Sequence, residues 1–340
     1  MKINKAELQT ALEKVKPGLA SKELIEQSTS FAFLGDRVVT YNDEISISHP
    51  IKGMEGMQGA ITAKALYDFL ARVKQEEIDL SLEKNQVVIK AGRSKAGLIF
   101  EQEVRLPIEE IGQIGKWKKL PEDFRDGLKL CHPCCSRDMS RPVLTCVNIV
   151  DDRIEAANSF QIIQYRMKKK LPGKGFLIPA SAAKELVRYE IQELSLGESW
   201  GHFRTPNGTI FSCRTVEGGF PEIEAFLRMD GSEFSFPEAM KEALIRADVF
   251  ARKESAADDP PVVTVRVKGG GLELSSKNEY GWFQEKMKTR HKEADFSFTV
   301  GIEFLISLFD KLQNCVITPE KIGFSGENWK HVIAVVSNEE

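Results

Sequence analysis

The stretch Phe211–Leu227, FSCRTVEGGFPEIEAFL, decides how the chain is divided. A run with strand-like character, 210–216, stops at Gly218-Gly219 and turns through Phe220-Pro221 into a short acidic and apolar segment. Glycine has no Cβ and proline fixes φ while removing a backbone donor, so together they interrupt both helix and strand. The sequence therefore predicts a firm corner about two-thirds of the way along a chain of 340 residues.

Amphipathic segments on both sides of this corner repeat along the chain. Helices are predicted around 6–12, 122–128 and 238–244, because each segment places apolar residues at i and i+4, on one stripe of a helix. Equivalent positions follow one another at a spacing of 116 residues. The matching sets are Leu12, Leu128 and Leu244; Leu8, Phe124 and Met240; and the small residues Ala11, Gly127 and Ala243.

A second helix recurs after each of these segments, over 61–73, 178–189 and 300–312. Phe69, Leu186 and Leu308 hold its equivalent apolar position. Short alternating stretches predict strands between and after the helices, for example within 77–92, 193–214 and 262–276. The run Lys268–Gly271, KGGG, leads into another strand and not into a helix, which indicates a hairpin turn and not a phosphate-binding loop.

This pattern of helix, strands, helix and strands occurs three times, which predicts an α+β protein of three repeated domains. We place the domains at 1–115, 116–232 and 233–340. The corner at Gly218–Pro221 leads from the second to the third, and Arg105-Leu106-Pro107 leads from the first to the second.

The composition is that of an ordinary globular protein, with 42% hydrophobic and 29% charged residues. The sequence has no run of about 18 apolar residues to span a bilayer. Its N-terminus, MKINKAELQTALEKVK, indicates a charged amphipathic helix and not a signal peptide, so we expect a cytoplasmic protein. A net charge of −3 excludes a protein coated in positive charge but allows a local basic surface for nucleic acid.

The cysteines and histidines do not form a recognisable catalytic or metal motif. Cys131-His132-Pro133-Cys134-Cys135 resembles part of a zinc site, but no second pair of ligands follows at a suitable spacing. We therefore expect the six cysteines to be free and partly buried thiols, with no metal and no cofactor. The sequence also lacks a phosphate loop and a nucleophile elbow, which favours a binding protein over an enzyme.

Three segments carry a family resemblance that extends over essentially the whole chain. EGGFPEIEAFL is similar to a Gly-x-Phe/Tyr-Pro-Asp-Tyr corner, and FLIPASAAKELVR is similar to an Ile-x-Pro-Arg-x-x-x-x-Glu-Leu helix. ADVFARKES, followed by LELSSKNEYGWFQEKM, is similar to the helix end and strand pair of a third domain. In this order, the three segments resemble the bacterial sliding clamp, the beta subunit of DNA polymerase III.

The resemblance implies a head-to-tail homodimer that closes a ring of six domains, with helices lining a central hole and sheets outside. Such a ring encircles duplex DNA and tethers a polymerase without catalysing a reaction. Its partners would be duplex DNA of any sequence and, through short peptide motifs, a DNA polymerase and a clamp loader. An alternative is a clamp-like decoy or adaptor that binds polymerase or loader without encircling DNA.

The resemblance also implies DNA contacts. Lys22, Arg137 and Arg141 match loops that touch DNA in this family, and such contacts would be directed at phosphates and sensitive to salt. Arg72, Arg188 and Arg246 stand toward the C-terminal ends of predicted helices. Complementarity with the helix dipole explains their position as well as DNA binding does.

Two further surfaces follow from the resemblance. A peptide pocket would take a short peptide with a Gln and two apolar or aromatic anchors. Its lining would be Leu144, Ala157, Ser159, Phe160, Gln161, Ile162, Pro221, Phe226, Phe304, Val335 and Val336. The dimer interface would join Ala96 and Leu98 on an edge strand to Val249 and Phe250 of the neighbouring copy.

The chain departs from the family at this pocket. The usual Ala-Thr-Asp-Gly-His-Arg-Leu segment reads AANSFQI at 156–162, and the usual Met-Pro-Met-Arg-Leu ending reads VSNEE at 336–340. An apolar, cationic tail has thus become polar and acidic. We expect Glu339-Glu340 at the rim of the pocket to disfavour acidic peptides and to favour a basic flank.

Overall fold

The computed structural model describes residues 1–112, 114–252, 261–289, 295–309 and 314–337. Elements are numbered along the chain. The helices lie where the periodicity predicts them, although 310–312 of the sixth predicted segment fall outside the described ranges. They are α1 (Lys5–Val15), α2 (Ala63–Arg72), α3 (Phe124–Cys131), α4 (Ala180–Leu186), α5 (Met240–Ala251) and α6 (Ile302–Phe309).

Short strands connect the helices, as the alternating stretches predict. In the first third of the chain they are β1 (Lys2–Asn4), β2 (Ser30–Leu34), β3 (Arg37–Tyr41), β4 (Ile45–Pro50), β5 (Gln58–Thr62), β6 (Glu77–Glu83), β7 (Gln86–Ala91) and β8 (Ser94–Ile99). Next come β9 (Lys118–Lys119), β10 (Cys146–Val150), β11 (Arg153–Ala157), β12 (Gln161–Arg166), β13 (Phe176–Pro179), β14 (Glu193–Leu196), β15 (Trp200–Arg204) and β16 (Ile210–Arg214). The last are β17 (Ser232–Ser235), β18 (Val262–Lys268), β19 (Gly271–Asn278), β20 (Gly281–Lys288), β21 (Phe296–Gly301), β22 (Asn314–Ile317), β23 (Lys321–Ser325), β24 (Trp329–Ala334) and β25 (Val336–Ser337).

The order of elements repeats three times. Each repeat reads strand, helix, four strands, helix and three strands, and the repeats run from β1 to β8, from β9 to β16 and from β17 to β24. This order confirms the α+β class and the threefold pattern. The domain boundaries at 1–115, 116–232 and 233–340 stay a prediction.

The apolar stripes of the first helix in each repeat face the interior. Leu12, Leu128 and Leu244 have no exposed surface, and their partners one turn earlier, Leu8, Phe124 and Met240, are 1% exposed or less. The second helix differs from the prediction in one place. Phe69 of α2 is only partly buried, and Leu66 and Leu70 fill the interior instead.

The chain divides into two compact units. The first comprises Met1–Lys129 and Lys168–Glu217, and the second comprises Leu130–Met167 and Gly218–Glu340. Both units cut across the sequence repeats because strands of different repeats share a sheet. In the first unit β4 pairs antiparallel with β16, and in the second β12 pairs antiparallel with β24.

The sheets of the first unit run in the orders β5-β2-β3-β4-β16-β15-β14-β9 and β1-β6-β7-β8. In the second unit one sheet runs β10-β11-β12-β24-β23-β22-β17 and the other runs β20-β19-β18-β21-β25. Helices α5 and α6 pack on the second unit's strands around a core that includes Leu244, Val265 and Leu305, all with no exposed surface. Strands β8 and β20 therefore lie at sheet edges.

Two glycine-containing turns were predicted from the sequence, and the structure explains both. The hairpin from β18 to β19 has Gly269 and Gly270 at φ of 57° and 79°, the left-handed region that a two-residue hairpin turn of this kind requires. At the corner, β16 ends at Arg214 and Gly218 has a φ of 136°. A Cβ on Gly218 would lie 2.8 Å from Cγ2 of Val143. The corner therefore also requires a residue without a side chain at this position.

The six cysteines are free, and all are buried, more deeply than the sequence suggests. Burial raises the pKa of the Cys131 and Cys135 thiols well above their ordinary value, which keeps them protonated. Within the described ranges, no group of three or more His, Cys, Asp and Glu side chains is arranged to hold a metal ion. No helix in these ranges combines the length and apolar character needed to cross a membrane.

Candidate functional site

An apolar surface forms in the second unit where β12 meets β24 and α6. The rings of Phe160 and Phe304 stack with centroids 6.3 Å apart and planes inclined by 30°. The carbonyl oxygen of Phe160 accepts a hydrogen bond of 2.8 Å from the backbone N–H of Ala334, at the end of β24. This hydrogen bond holds the backbone of Phe160, which precedes β12, against the end of β24.

The surface continues along β12 to Ile162. Ile162 lies on β12, two residues after Phe160. Ile162 is paired with Val332 of β24 and packs in a cluster with Ile223 and Leu227. We call the side chains of Phe304, Phe160, Ile162, Ile223 and Leu227 the apolar strip.

The corner segment supplies the other wall of the strip. A turn over 223–227 is closed by hydrogen bonds from the N–H groups of Phe226 and Leu227 to the Ile223 carbonyl oxygen. Ile223 and Leu227 are 4% and 3% exposed, whereas Phe226 is 62% exposed. The Nζ of Lys321 donates to the carbonyl oxygens of Phe226 and Arg228, at 3.2 and 2.9 Å, and holds the end of this turn.

A buried amide ties the corner segment to the sheet. Gln164 Nε2 donates to Oε1 of Glu155 at 2.9 Å and to Oε2 of Glu224 at 3.0 Å. The hydrogen bond from Gln164 lowers the pKa of Glu224, so this carboxylate stays ionised in the cluster. The turn that carries Phe226 is thus fixed by the hydrogen bonds of Gln164 and Lys321 as well as by apolar contacts.

The remaining predicted pocket residues have different environments. Gln161 lies on the opposite face of β12, 6% exposed, with its Oε1 2.9 Å from His331 Nε2, so its amide does not extend the strip. Ala157 is buried opposite Ile162. Val335 packs against the core, and its N–H donates to the Glu320 carbonyl oxygen at 2.8 Å. Leu144 is half-buried in a 3-10 turn, and Ser159 and Pro221 are exposed. The side chain of Val336 is not described, and the acidic tail over 338–340 lies outside the described ranges.

The turn before β12 keeps its shape despite the unusual sequence. Asn158 Oδ1 accepts hydrogen bonds from the backbone N–H groups of Phe160 and Gln161, at 2.8 and 2.9 Å. Asparagine commonly closes a turn in this way. The turn therefore presents Ser159 and Phe160 on its surface, and Phe160 is 37% exposed.

Lys22 lies on an exposed loop whose conformation is fixed by hydrogen bonds of the buried Gln27. Gln27, 1% exposed and at φ of 63°, donates from Nε2 to the Glu101 carboxylate at 2.7 Å and to the Glu103 carbonyl oxygen at 2.9 Å. Its Oε1 accepts a bond from the Arg105 N–H. In the described ranges Lys22 forms no ion pair, so its charge is presented to solvent on a fixed loop.

Arg137 and Arg141 are exposed on a loop of the second unit. Asp138 orders this loop by accepting bonds from the N–H and hydroxyl of Ser140, at 2.9 and 2.8 Å. The hydrogen bonds from Ser140 lower the pKa of Asp138, which keeps it ionised between the two arginines. The loop 136–141 still carries one net positive charge.

The three helix-end arginines are already engaged. Arg72 donates to the carbonyl oxygen of Asp68 at 2.7 Å, and Arg188 pairs with Glu185 at 2.8 Å. Arg246 lies 2.8 Å from the Glu285 carboxylate and 3.6 Å from that of Glu242. Arg246 is therefore the least available of the six predicted DNA contacts.

The predicted dimer residues lie at two sheet edges. Ala96 and Leu98 are half-buried on β8, where they face Ile89 and Val87 of β7. Val249, 66% exposed, and Phe250 stand at the end of α5, and the Phe250 ring stacks on Phe283 of the edge strand β20 at 6.5 Å. Each pair thus borders an edge strand that can accept a further strand.

Sequence reasoning missed two residues of the strip and the lysine that holds its turn. Ile223 and Leu227, which flank Phe226, were in the quoted corner but were not assigned to the pocket. Their spacing of four residues on an apolar face was the available signal. Lys321 carried no signal because its role depends on contacts between distant segments.

Comparison with known proteins decides which fold this is. No protein-family model and no curated protein matches the sequence. The DNA polymerase III beta chain from Streptococcus pneumoniae matches with a TM-score of 0.83 at 19% identity, over 99% of both chains. The DNA polymerase sliding clamp from Bacillus subtilis matches with a TM-score of 0.82 at 17% identity, again over 99% of both chains.

The chain has the fold of the bacterial DNA sliding clamp. A sliding clamp from Pseudomonas aeruginosa bound to griselimycin also matches, with a TM-score of 0.83 at 14% identity, over 99% of this chain and 98% of that one. The structural likeness to the clamps covers the whole chain, which is what the three sequence segments led us to expect.

Proposed function

We propose that the protein is a DNA sliding clamp, a non-catalytic processivity factor of the cytoplasm that encircles duplex DNA as a homodimer and tethers a replicative polymerase. The observation that carries the proposal is the full-length likeness to bacterial clamps, with TM-scores of 0.82 to 0.83. The apolar strip and the exposed basic loops support it, because a clamp needs one surface for partners and another for phosphates.

The strip is suited to a short peptide with apolar anchors. Phe160 and Phe226 offer exposed aromatic surface beside the buried Ile223 and Leu227 and the partly buried Ile162. A few anchors in such a site supply most of the affinity, and a polar rim supplies specificity. We infer that polymerase and loader peptides with a Gln and two apolar or aromatic residues bind here, and that the acidic tail favours a basic flank.

The DNA contacts of the proposed clamp are directed at phosphates. Lys22, Arg137 and Arg141 are exposed on loops whose backbones are fixed by internal hydrogen bonds. Cations of this kind bind the backbone of DNA without reading its sequence. Arg72 and Arg188 add weaker contacts, and Arg246 is the last to contribute because two carboxylates already neutralise it.

Ring closure requires two copies of the chain. Three repeats per copy give a ring of six repeats. The edge bordered by Ala96 and Leu98 in one copy meets the edge bordered by Val249 and Phe250 in the other. Two such heterologous contacts close the ring. In this ring the helices of both copies face the hole and the sheets face outward.

A topological assay tests the proposal. Protein assembled with a clamp loader on a bead-bound nicked circle should be retained through a salt wash and released when one restriction cut makes the circle linear. A Val249→Asp variant, which disfavours closure, is the matched control and should not be retained. Polymerase-peptide binding without retention on the circle would instead establish the decoy or adaptor.

A further inference from the structure

A cavity of about 310 Å³ lies in the first unit, at the sheet edge where β9 pairs with β14. Its volume is at the lower end of the range for small-ligand pockets, about 300–1,000 Å³. The lining residues include Lys116, Lys118, Lys174, Leu194, Ser195 and Leu196. Neither the strip nor the basic loops include any of these residues.

The lysines around this cavity are not neutralised. Lys116, Lys118 and Lys174 are exposed and form no ion pair within the described ranges. The carboxylate nearest in sequence to the cavity wall is that of Glu193, which directly precedes Leu194. It is paired with Arg204, whose Nε and Nη2 lie 2.7 and 2.6 Å from the Glu193 carboxylate. The segments 116–119 and 168–174 together contain seven lysines and no acidic residue.

Two loops bring these lysines to one place. Gly173 has a φ of 123°, and a Cβ there would lie 3.4 Å from Lys118 Nζ, so the ammonium of Lys118 reaches over the loop that carries Lys174. Like charges that share a cavity repel one another, and an anion between them removes that repulsion.

The strand that lines the cavity and its neighbour carry two buried polar atoms that have no hydrogen-bond partner among the described residues. Ser195 is 2% exposed, and its Oγ finds no hydrogen-bond partner among the described residues. Directly opposite on β15 is His202, with no exposed surface, whose Nε2 is also without a partner in these ranges. Directly paired residues share one face of the sheet, so both atoms lie on the same side. The other ring nitrogen of His202, Nδ1, is hydrogen-bonded to Ser212 Oγ at 2.9 Å.

We propose that this cavity binds a phosphate-bearing anion, with the ammonium groups of Lys116, Lys118 and Lys174 around it and the Ser195 hydroxyl as the inner donor. A phosphate group carries more than one negative charge and several acceptor oxygens, which suits three ammonium donors and a hydroxyl. The assignment is independent of the clamp function.

Calorimetric titration of the full-length protein tests this site with two probes, pyrophosphate and ATP. We expect saturable binding of pyrophosphate at one site per chain, and a tighter ATP complex if the ligand is a nucleotide and not a free polyphosphate. Lys118→Gln with Lys174→Gln should weaken binding about tenfold for each lysine replaced, because charge-assisted hydrogen bonds are the strong ones. Ser195→Ala should weaken it several-fold.

The matched control is Lys52→Gln with Lys64→Gln, which removes two exposed charges from the same unit. This control should bind both probes as the parent does, and all variants should keep the parent's melting temperature. Three outcomes overturn the proposal: no saturable binding of either probe, equal weakening by the control, or a polyglutamate peptide that binds more tightly than pyrophosphate.

Discussion

Phe160 and Phe304 stack at 6.3 Å although they come from different sequence repeats. Phe160 precedes a strand of the second repeat, and Phe304 belongs to the last helix of the third. The shared sheet, in which β12 pairs with β24, makes this possible because it joins strands of the two repeats. The pairing of β12 with β24 therefore has two consequences. It forms the apolar strip, and it places strands of two sequence repeats in one compact unit.

Phe226→Ala, beside the strip, should weaken peptide binding without a loss of stability. Phe226 is 62% exposed, so the change should leave the free energy of unfolding within about 0.5 kcal/mol of the parent. Removal of an aromatic anchor should weaken peptide binding by about 1–2 kcal/mol. Titration of a Gln-containing peptide with two aromatic anchors measures the effect, and Tyr280→Ala, at a residue 67% exposed in a hairpin turn, is the control. Equal affinities for parent and Phe226→Ala would remove this residue from the site.

Phe304→Ala should act on both properties. This side chain is 6% exposed and belongs to the core of the second unit, so truncation should cost about 3–5 kcal/mol of unfolding free energy. Peptide binding should also fall because Phe160 loses its stacking partner. Urea unfolding and peptide titration at the same temperature measure the two effects, and a variant that is destabilised but binds the peptide normally contradicts the placement of the strip.

The salt dependence of DNA retention tests the loop cations. Replacing Lys22, Arg137 and Arg141 by alanine together should shorten residence on circular DNA. It should also reduce the slope of log affinity against log salt by about 0.9 for each phosphate that the protein no longer neutralises. Arg246→Ala is the matched control, because Glu242 and Glu285 already neutralise this arginine. An unchanged slope for the triple variant would exclude these loops from the DNA-binding surface.

Substitutions at Val249 and Phe250, at the end of α5, test the proposed dimer. Val249 is 66% exposed, so Val249→Asp should leave the monomer folded while an unpaired carboxylate disfavours an apolar interface. Phe250→Ala should weaken dimerisation by at most about 3–5 kcal/mol, the range for truncating a buried Phe. Sedimentation across a range of concentrations measures both, and a parent that is monomeric at micromolar concentration would rule out the homodimer.

The sequence predicted the helices and strands of this fold better than it predicted which strands share a sheet. Leu12, Leu128 and Leu244 revealed three helices because helical periodicity is local and each stripe is buried. The pairing of Ile47 with Phe211 and of Ile162 with Val332 joins strands far apart in sequence, and nothing local encodes it. For the same reason the corner at Gly218 was predictable, whereas the Lys321 hydrogen bonds that hold its turn were not.

The buried His202 and the half-buried His49 should make stability depend on pH. Burial lowers the pKa of His202 to about 4, whereas the unfolded chain has the ordinary value near 6.5. Below about pH 6.5 the unfolded state binds the proton first, so stability falls as the pH drops toward 4, by up to about 3 kcal/mol. Urea unfolding at pH 7.5, 6 and 5 should show this loss, and His202→Asn, which can keep a bond to Ser212, should reduce it. His49, whose pKa burial also lowers to about 4, accounts for the slope that remains, and an unchanged slope in the variant contradicts the assignment.

Gly218 and Gly219 form a matched pair at the corner. Gly218 has a φ of 136°, and a Cβ there would lie 2.8 Å from Val143, whereas a Cβ on Gly219 would meet no heavy atom within 4 Å. Gly218→Ala should therefore lower the unfolding free energy by about 1–3 kcal/mol, the range for a strained backbone conformation, and Gly219→Ala should change it little. Because the corner sets the position of the turn that carries Phe226, Gly218→Ala should also weaken peptide binding, and Gly219→Ala should not. Unfolding and peptide titration of both variants decide the point: equal effects at the two glycines would mean that the corner is not held by Gly218.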